Sequence, residues 1–319
     1  MDLLEPPAEW SAAVEEANWI AERLGPFAAD VSSVVPAGFE AYARVLHPAE
    51  EPTRGHRLVR WREIASWSGI ALRPDAQFHT VAMPPAAPAD PPPWSGQGPR
   101  EGGLYPPDAA VLAGVLRDAT TAPEGCFFGL WAGYGIAVNL PLVRLPEREY
   151  LLYTGPVEAL TAPVASAHGQ TANLAWPPDH AWCVVSEIDL CWTYVAGSRA
   201  LVERLLAERL LADDRLEVLP AAPDEPLTRI EPFVADLVEP AVTELLAGAH
   251  TLVTTSQGTV EAWLERPDRR GPGALRTRLR PATGWRGTGG GLLGSRDEEG
   301  LRRELRARLA SAVVSLVGG

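Results

Sequence analysis

Two proline-rich stretches divide the chain. Six of the ten residues from 84 to 93 are proline, and a second stretch, residues 220–226, holds three more. Proline has no backbone N–H and a fixed φ, so neither a helix nor a central strand can run through such a segment. We therefore predict a first domain over residues 1–222, which carries the Pro-rich loop 84–93, and a second domain over residues 227–319.

The first domain is predicted to mix helices with strands, because apolar residues recur at helical spacing in some segments and alternate in others. The predicted helices cover residues 8–24, 36–46, 61–68, 107–117 and 199–211. The predicted strands cover residues 31–35, 126–131, 149–153, 181–188 and 216–219. Helices and strands do not alternate one by one, so the pattern favours a large, mixed α+β domain with an antiparallel sheet over a βαβ fold.

The second domain is predicted to be a small α-β-β-β-α module. A helix over 233–247 precedes a hairpin, whose strands at 251–256 and 259–264 alternate around Gln257 and Gly258. A third strand follows at 274–280, and a last helix covers 298–316. The fold class expected for the whole chain is α+β.

Charge is distributed unevenly between the two domains. The chain has 28 basic and 41 acidic side chains and a formal net charge of -13. This balance argues against the molecule as a whole binding nucleic acid or an anionic membrane. Residues 266–308, however, hold 12 Arg against 5 acidic residues, which predicts a basic module on an acidic body. All basic residues are Arg, so a Schiff-base lysine, a P-loop lysine and a Ser-Lys dyad are excluded.

The cysteines and the apolar segments bear on the cellular compartment. The 3 cysteines, Cys126, Cys183 and Cys191, form no CxxC pair, which fits a reducing compartment better than a disulfide-stapled domain. The first residues lack the basic start and the apolar stretch of a secretion signal, and no run of about 18 apolar residues follows. We expect a cytoplasmic protein without a membrane segment.

The richest group of reactive side chains lies between residues 179 and 191. His180 is a candidate general base for Cys183, and Glu187 with Asp189 is a candidate carboxylate pair for acid–base or metal chemistry. Positions three apart on a strand face opposite sides, which disfavours the first pair. Glu187 and Asp189 would share a face about 7 Å apart, near enough to bind one ion or one guanidinium. The favoured interpretation is structural, with the acids paired to Arg and the cysteines in the core.

No metal and no cofactor are expected. The 6 histidines are scattered, and none has the spacing with which a helix chelates zinc. The glycines between Gly129 and Gly135 lack the G-x-G-x-x-G spacing and favour a hairpin or bulge. The glycines between Gly287 and Gly291 could cradle an anion before the last helix, but a flexible loop is the favoured interpretation.

Two sets of residues are candidates for binding. Trp94 and Trp176 each adjoin a proline, and exposed tryptophans of this kind act as rigid anchors at interfaces. Burial of each ring in a Trp-rich core is the favoured interpretation. Arg302, Arg303 and Arg306 form a basic stripe along the last predicted helix, which could contact phosphate or an acidic protein. A solvated helix face is the favoured interpretation of that stripe.

Five segments carry a resemblance to a known group of proteins. They are Val35–Pro48, Val59–Trp61, Phe127–Gly135, Tyr150–Pro156 and Trp176–Cys183. Together they resemble a family of uncharacterised proteins of high-GC bacteria over about residues 30–220, a family with no assigned activity. The predicted helix from Pro36, followed by strands rich in Trp and Gly, is also distantly similar to the SUKH proteins, which include many bacterial immunity proteins. That similarity implies a non-catalytic α+β protein that binds another protein.

The functional expectation follows from charge and from the residues just described. We expect a non-catalytic protein of an immunity or partner-neutralising type, whose acidic surface engages a basic protein partner. One alternative is a hydrolase-like enzyme centred on His180, Cys183, Glu187 and Asp189. Another is nucleic-acid binding through the C-terminal Arg stripe.

Overall fold

The structure is a computed structural model of an α+β protein. It describes residues 8–25, 30–52, 57–82, 90–94, 98–136, 138–161, 171–208, 216–227, 232–255, 258–265, 274–281, 286–292, 302, 305, 306 and 309. Among these residues, no helix combines the length and the apolar character needed to span a bilayer.

Six α-helices and fifteen strands are defined in the described residues. The helices are α1 Asn18–Ala21, α2 Trp61–Ser68, α3 Phe78–Val81, α4 Pro106–Arg117, α5 Arg199–Glu208 and α6 Pro232–Leu246. The strands of the first domain are β1 Glu9–Ser11, β2 Ala41–Leu46, β3 Ala49–Glu51, β4 Arg57–Val59, β5 Cys126–Trp131, β6 Leu142–Leu145, β7 Arg148–Gly155, β8 Leu174–Trp176, β9 Trp182–Val185, β10 Trp192–Gly197 and β11 Val218–Ala221. The strands of the C-terminal region are β12 Thr251–Thr255, β13 Gly258–Glu265, β14 Ala274–Pro281 and β15 Arg286–Leu292. Four 3-10 helices cover Val14–Ala17, Val31–Ser33, Ala132–Tyr134 and Val157–Thr161.

A nine-stranded antiparallel sheet organises the first domain. Its order is β1-β7-β5-β8-β9-β10-β2-β11, and β6 also pairs with β7. β6 pairs with the first half of β7 and β1 with the second half, so both lie along the same side of that strand. β3 and β4 form a separate two-stranded ribbon.

Both faces of this sheet are buried, because successive residues of its strands enter two different apolar clusters. In β7, Leu151 and Tyr153 belong to the cluster that α4, α5 and the 3-10 helix at 157–161 cover. Tyr150 and Leu152 belong to the opposite cluster, which α1, α2 and α3 cover. A sheet covered on both faces needs apolar residues at consecutive positions, which explains the long apolar runs in its strands.

Three predicted elements near the N-terminus are wrong. The predicted helix over 36–46 is strand β2, the predicted helix over 8–24 contains β1 and a 3-10 turn before the short α1, and residues 31–33 form a 3-10 helix where a strand was predicted. In β2, Tyr42 and Leu46 face one cluster and Ala43 and Val45 face the other. Apolar residues on both faces of a strand also satisfy helical spacing, so periodicity alone misassigned the segment. The segment that carried the similarity to SUKH proteins is therefore not helical.

Other predicted elements are confirmed. α2 occupies 61–68 and ends at Gly69, which has φ 74, and α4 and β5 lie where the sequence predicted them. Proline at the first positions of α4 and glycine after α2 are the local signals that made these boundaries visible. The strand predicted over 181–188 is shorter, because β9 ends at Val185.

The C-terminal region forms a second, four-stranded antiparallel sheet in the order β12-β13-β14-β15. β15 covers Arg286–Leu292, so the glycine run predicted to be a loop is an edge strand paired with β14. Glycine carries no side chain, so a glycine-rich strand shows no alternation in the sequence. The predicted α-β-β-β-α order is wrong in this respect, since a fourth strand precedes the last helical segment, of which Arg302, Leu305, Arg306 and Leu309 are described as helical.

The stretch predicted to separate the domains packs on the first domain. The backbone N–H groups of Val31 and Ser32 donate to the carbonyls of Glu225 and Pro223, and Leu227 lies in the cluster on the α1–α3 face. Of the Pro-rich loop, residues 84–89 lie outside the described residues, and Pro91–Pro93 are neither helix nor strand. These contacts tie the chain to the sheet as far as residue 227.

Candidate functional site

Glu187 and Asp189 lie in the turn between β9 and β10, where both contact the guanidinium of Arg148. Nη2 of Arg148 is 2.6 Å from Oε1 of Glu187 and 3.0 Å from Oδ2 of Asp189. Nε of Arg148 donates to the same Oε1 at 3.1 Å. The Glu187 side chain is 6% exposed and that of Asp189 is 76% exposed. The two acids thus share one guanidinium, which was one of the two occupants predicted for them.

A tight loop closes over this turn. The N–H of Gly102 donates to the carbonyl of Leu190 at 3.1 Å. A Cβ on Gly102 would lie 3.0 Å from the hydroxyl oxygen of Tyr134 and 3.1 Å from Cα of Ile188, and its φ of +75 also favours glycine. Burial, and then the nearby Asp189 carboxylate, raise the pKa of Glu101 beside this contact. An acid–base or metal role for Glu187 and Asp189 would first require displacement of Arg148.

His180 lies apart from these acids, at the turn before β9. Its imidazole stacks on the indole of Trp19, with ring centroids 4.3 Å apart and an interplanar angle of 20°. Burial, and then the guanidinium of Arg23, lower the pKa of His180. Its φ of 53 is in the left-handed region, which places the residue in a turn rather than on the strand.

Cys183 is fully buried in β9, on the sheet face covered by α1, α2 and α3. Burial raises the pKa of its thiol far above the usual range, so the nucleophilic thiolate is not formed at neutral pH. No hydrogen bond between His180 and Cys183 occurs among the described residues. The candidate base–nucleophile pair, which strand geometry already disfavoured, is not formed, and Cys183 lies in the core as the favoured interpretation expected.

A buried chain of hydrogen bonds that the sequence analysis missed joins β2, the end of β9 and β10. Nδ1 of His47 is 2.7 Å from the carbonyl oxygen of Arg100, and Nε2 is 2.8 Å from Oγ1 of Thr193. A carbonyl only accepts, so Nδ1 carries the proton and Nε2 accepts from the threonine hydroxyl. Oγ of Ser186 lies 2.6 Å from the same Oγ1. Burial lowers the pKa of His47 to about 4, so the imidazole is neutral at pH 7.

The residue types in this chain of hydrogen bonds are those of a catalytic relay, but a substrate could not reach them. His47, Ser186 and Thr193 are all buried. The amide of Asn173 continues the network, donating to the carbonyls of Gly102 at 2.7 Å and Ser186 at 3.2 Å. Polar residues directly after β2 and β9 were the only sequence signal for it. We interpret it as a structural network that fixes the strand ends.

Both tryptophans that were candidate anchors are buried, as the favoured interpretation expected. Trp176 is fully buried in β8 and stacks on Phe127, with ring centroids 5.4 Å apart. Trp94 is buried against Trp67 and Phe78, at centroid distances of 5.3 and 6.1 Å. Proline beside each indole marked a chain reversal and did not mark exposure. In this conformation neither ring can contact a partner.

The predicted Arg stripe is largely paired within the protein. Nη1 of Arg302 lies 2.7 Å from Oε1 of Glu239 on α6, and Nη2 of Arg306 lies 2.7 Å from Oε2 of the same carboxylate. The hydrogen bond from Arg306, and then that from Arg302, lower the pKa of Glu239. Arg303 lies outside the described residues. The stripe thus joins the last helical segment to α6.

Sets of three or more metal-ligating side chains are absent from the part of the chain that the structure describes. One group of exposed carboxylates lies in the N-terminal segment of the first domain. Residues 8–25 contain one Arg and four glutamates. All four glutamates are exposed: Glu9, Glu15, Glu16 and Glu22.

The same segment carries two half-buried tryptophans, which pack on opposite faces of the nine-stranded sheet. Trp10 packs edge-on against Tyr153, at a centroid distance of 6.1 Å, and Trp19 carries the stacked imidazole of His180. We call the four glutamates with Trp10 and Trp19 the acidic surface.

Comparisons of the chain with protein-family models, with curated proteins and with solved structures give no significant match.

Proposed function

We propose that the protein is a non-catalytic binding protein whose acidic surface engages a basic protein partner, in the manner of an immunity or partner-neutralising protein. The observation that carries the proposal is the acidic surface itself, where four exposed carboxylates and two partly exposed indoles lie within residues 8–25. Carboxylates of one sign steer a basic partner toward the surface. Indoles supply the apolar contact area that interface hot spots use.

The fixed orientation of the indoles also supports binding. Trp10 is held by Tyr153 of β7, and Trp19 is held by His180 on one side and lies 5.3 Å from the Arg23 guanidinium. A side chain already fixed in the free protein loses less conformational entropy when a partner covers it.

The hydrolase-like alternative has less support. Its proposed nucleophile, Cys183, is a buried neutral thiol, and its proposed acids share Arg148. A nucleophile has to reach substrate and lie within hydrogen-bond reach of its base. The binding proposal needs neither condition, because it uses exposed groups.

Neutralising the acidic surface tests the proposal. The full-length chain and its Glu15→Gln/Glu16→Gln/Glu22→Gln variant are used to capture proteins from a lysate of the encoding organism at two salt concentrations. The control variant removes three exposed carboxylates elsewhere: Asp90→Asn, Glu203→Gln and Asp224→Asn.

The expected result is a basic protein that the parent chain and the control variant capture and the acidic-surface variant does not. Its capture should weaken as salt rises, because the attraction is screened. Equal capture by all three chains, or a partner whose capture is insensitive to salt, would overturn the proposal.

A further inference from the structure

The outer side of the C-terminal sheet presents an aromatic ring among cationic side chains. α6, with Leu305 and Leu309, covers the inner face through Val253, Val260 and Leu275. The alternate residues of the same strands point the other way and form what we call the open face: Leu252, Glu261, Trp263, Arg276 and Arg278. Leu252 on it is 63% exposed.

Cross-strand pairing arranges these side chains in rows. Trp263 of β13 lies opposite Arg276 of β14, and Glu261 lies between Leu252 of β12 and Arg278 of β14. Residues directly opposite one another in an antiparallel pair project from the same face. The indole and both guanidinium groups therefore belong to one surface.

Neighbouring groups hold the indole of Trp263 in place. The guanidinium carbon of Arg278 is 5.7 Å from the ring centroid, and the imidazole of His250 is tilted against it at 5.2 Å. Glu261 lies 3.3 Å from Arg278 and 3.5 Å from His250, so one carboxylate links both neighbours of the ring.

The adjacent edge strand carries small residue types beside the two arginines. Gly290 of β15 lies opposite Arg276, and Thr288 lies opposite Arg278. Glycine has no side chain, and threonine has a short one. The pairing therefore places the edge strand next to the two arginines.

We propose that the open face binds single-stranded nucleic acid, with a base stacked on Trp263 and phosphates contacted by Arg276 and Arg278. Base stacking on an aromatic side chain within a cationic groove is the general mode of single-strand binding. The surrounding sequence fits a polyanion, because residues 266–308 hold 12 Arg against 5 acidic residues. The ring favours a nucleobase over an acidic polypeptide, since every base has a π-face. This site is separate from the acidic surface, and its test is independent of that proposal.

Fluorescence anisotropy of labelled twelve-nucleotide oligo(dT) and oligo(rU) with the full-length chain tests the site. Trp263→Ala should weaken binding by about 5- to 150-fold, the range that follows from losing one base stack, whereas Trp263→Phe should retain most of the affinity. Thermal unfolding of each variant shows whether the sheet is intact. No binding of either oligonucleotide by the parent chain at low salt, or equal affinity in the parent and in a folded Trp263→Ala variant, would overturn the proposal.

A pair of charge-matched variants locates the phosphate-binding residues. Arg276→Gln/Arg278→Gln and Arg302→Gln/Arg306→Gln each remove two positive charges from the same region. Arg276→Gln/Arg278→Gln should lower the affinity and reduce the slope of log affinity against log salt concentration by about 0.7 for each phosphate that is no longer neutralised. Arg302→Gln/Arg306→Gln should change the affinity and the slope less. Equal effects of both variants would contradict the proposed location. Displacement of the oligonucleotide only by polyglutamate, and not by unlabelled oligonucleotide, would assign the face to an acidic protein and contradict the ligand class.

Discussion

The two sheets of this protein bury their faces differently. The nine-stranded sheet has helices on both faces, and its polar groups are tied into internal contacts such as the Arg148 cluster and the His47 network. The four-stranded sheet buries one face under α6 and presents Leu252, Trp263 and Arg276 on the other.

This difference separates residues that look alike in the sequence. Trp176 and Trp263 both lie in strands, but the first is fully buried and the second lies on the open face. Polar and aromatic residues of the covered sheet are therefore expected to affect stability, and those of the open face to affect binding. Four predictions test that division.

The largest effect is expected for Trp176→Ala. The substitution removes a fully buried indole stacked on Phe127 and leaves a cavity in the covered sheet. We expect a loss of about 3–5 kcal/mol in the free energy of unfolding. Denaturant titration followed by circular dichroism measures it, and a loss below about 1 kcal/mol would show that this face is not tightly packed.

Acid should destabilise the covered sheet through His47. Burial lowers the pKa of His47 to about 4, whereas the unfolded chain protonates near its ordinary value of 6.5. The unfolded state therefore binds the proton first as pH falls. The contribution of neutral His47 to the free energy of unfolding is fully present above pH 6.5. It falls by about 3 kcal/mol in total as the pH is lowered toward 4.

The variant His47→Gln isolates this contribution. Burial also lowers the pKa of His79 to about 4, so within the described part of the chain two histidines have a pKa near 4 in the parent and one in the variant. Unfolding free energies between pH 7 and pH 4 should fall less steeply in the variant. Equal slopes in the two chains would exclude His47 as a source of acid sensitivity.

Glu187→Gln and Asp189→Asn compare two acids on one guanidinium. Glu187→Gln should lower the free energy of unfolding by about 1–3 kcal/mol, because Arg148 loses a charged partner that is buried inside the protein. Asp189→Asn should lower the free energy of unfolding by only about 0–1 kcal/mol, because Asp189 is exposed and surface ion pairs contribute little. Chemical denaturation measures both, and equal costs would mean that burial does not govern this cluster.

The smallest effect is expected for Leu252→Ala on the open face. With 63% of the residue exposed, little apolar area is removed from a core, and the free energy of unfolding should change by less than about 0.5 kcal/mol. A change near that of Trp176→Ala would mean that the open face is covered in solution, for example by a second copy.

The sequence predicted the α+β class and those elements whose ends carry local signals. α2 ends at Gly69 and α4 begins with two prolines, and both boundaries were found. β2 was misassigned because its apolar residues face two cores, and β15 was missed because glycine has no periodic signal. Both errors arise because tertiary pairing determines these strands and local propensity does not.

The candidate site was predicted in part. The shared contact of Glu187 and Asp189 with one guanidinium was among the predicted outcomes, but the strand expected to place both acids on one face ends at Val185. The identity of Arg148, which is distant in sequence, could not be predicted. The sequence also could not show which of the 11 tryptophans reach solvent. Proline neighbours selected Trp94 and Trp176, which are buried, and alternation in β13 alone could not show which of its faces α6 covers.

The most direct test measures stability and oligonucleotide affinity together in Trp176→Ala and Trp263→Ala. The division between the sheets predicts that Trp176→Ala is strongly destabilised and, under conditions where it is folded, binds oligo(dT) like the parent chain. It predicts that Trp263→Ala changes the free energy of unfolding by less than about 1 kcal/mol and binds at least about fivefold more weakly. A Trp263→Ala variant that loses stability as Trp176→Ala does and keeps its affinity would contradict the division and, with it, the assignment of binding to the open face.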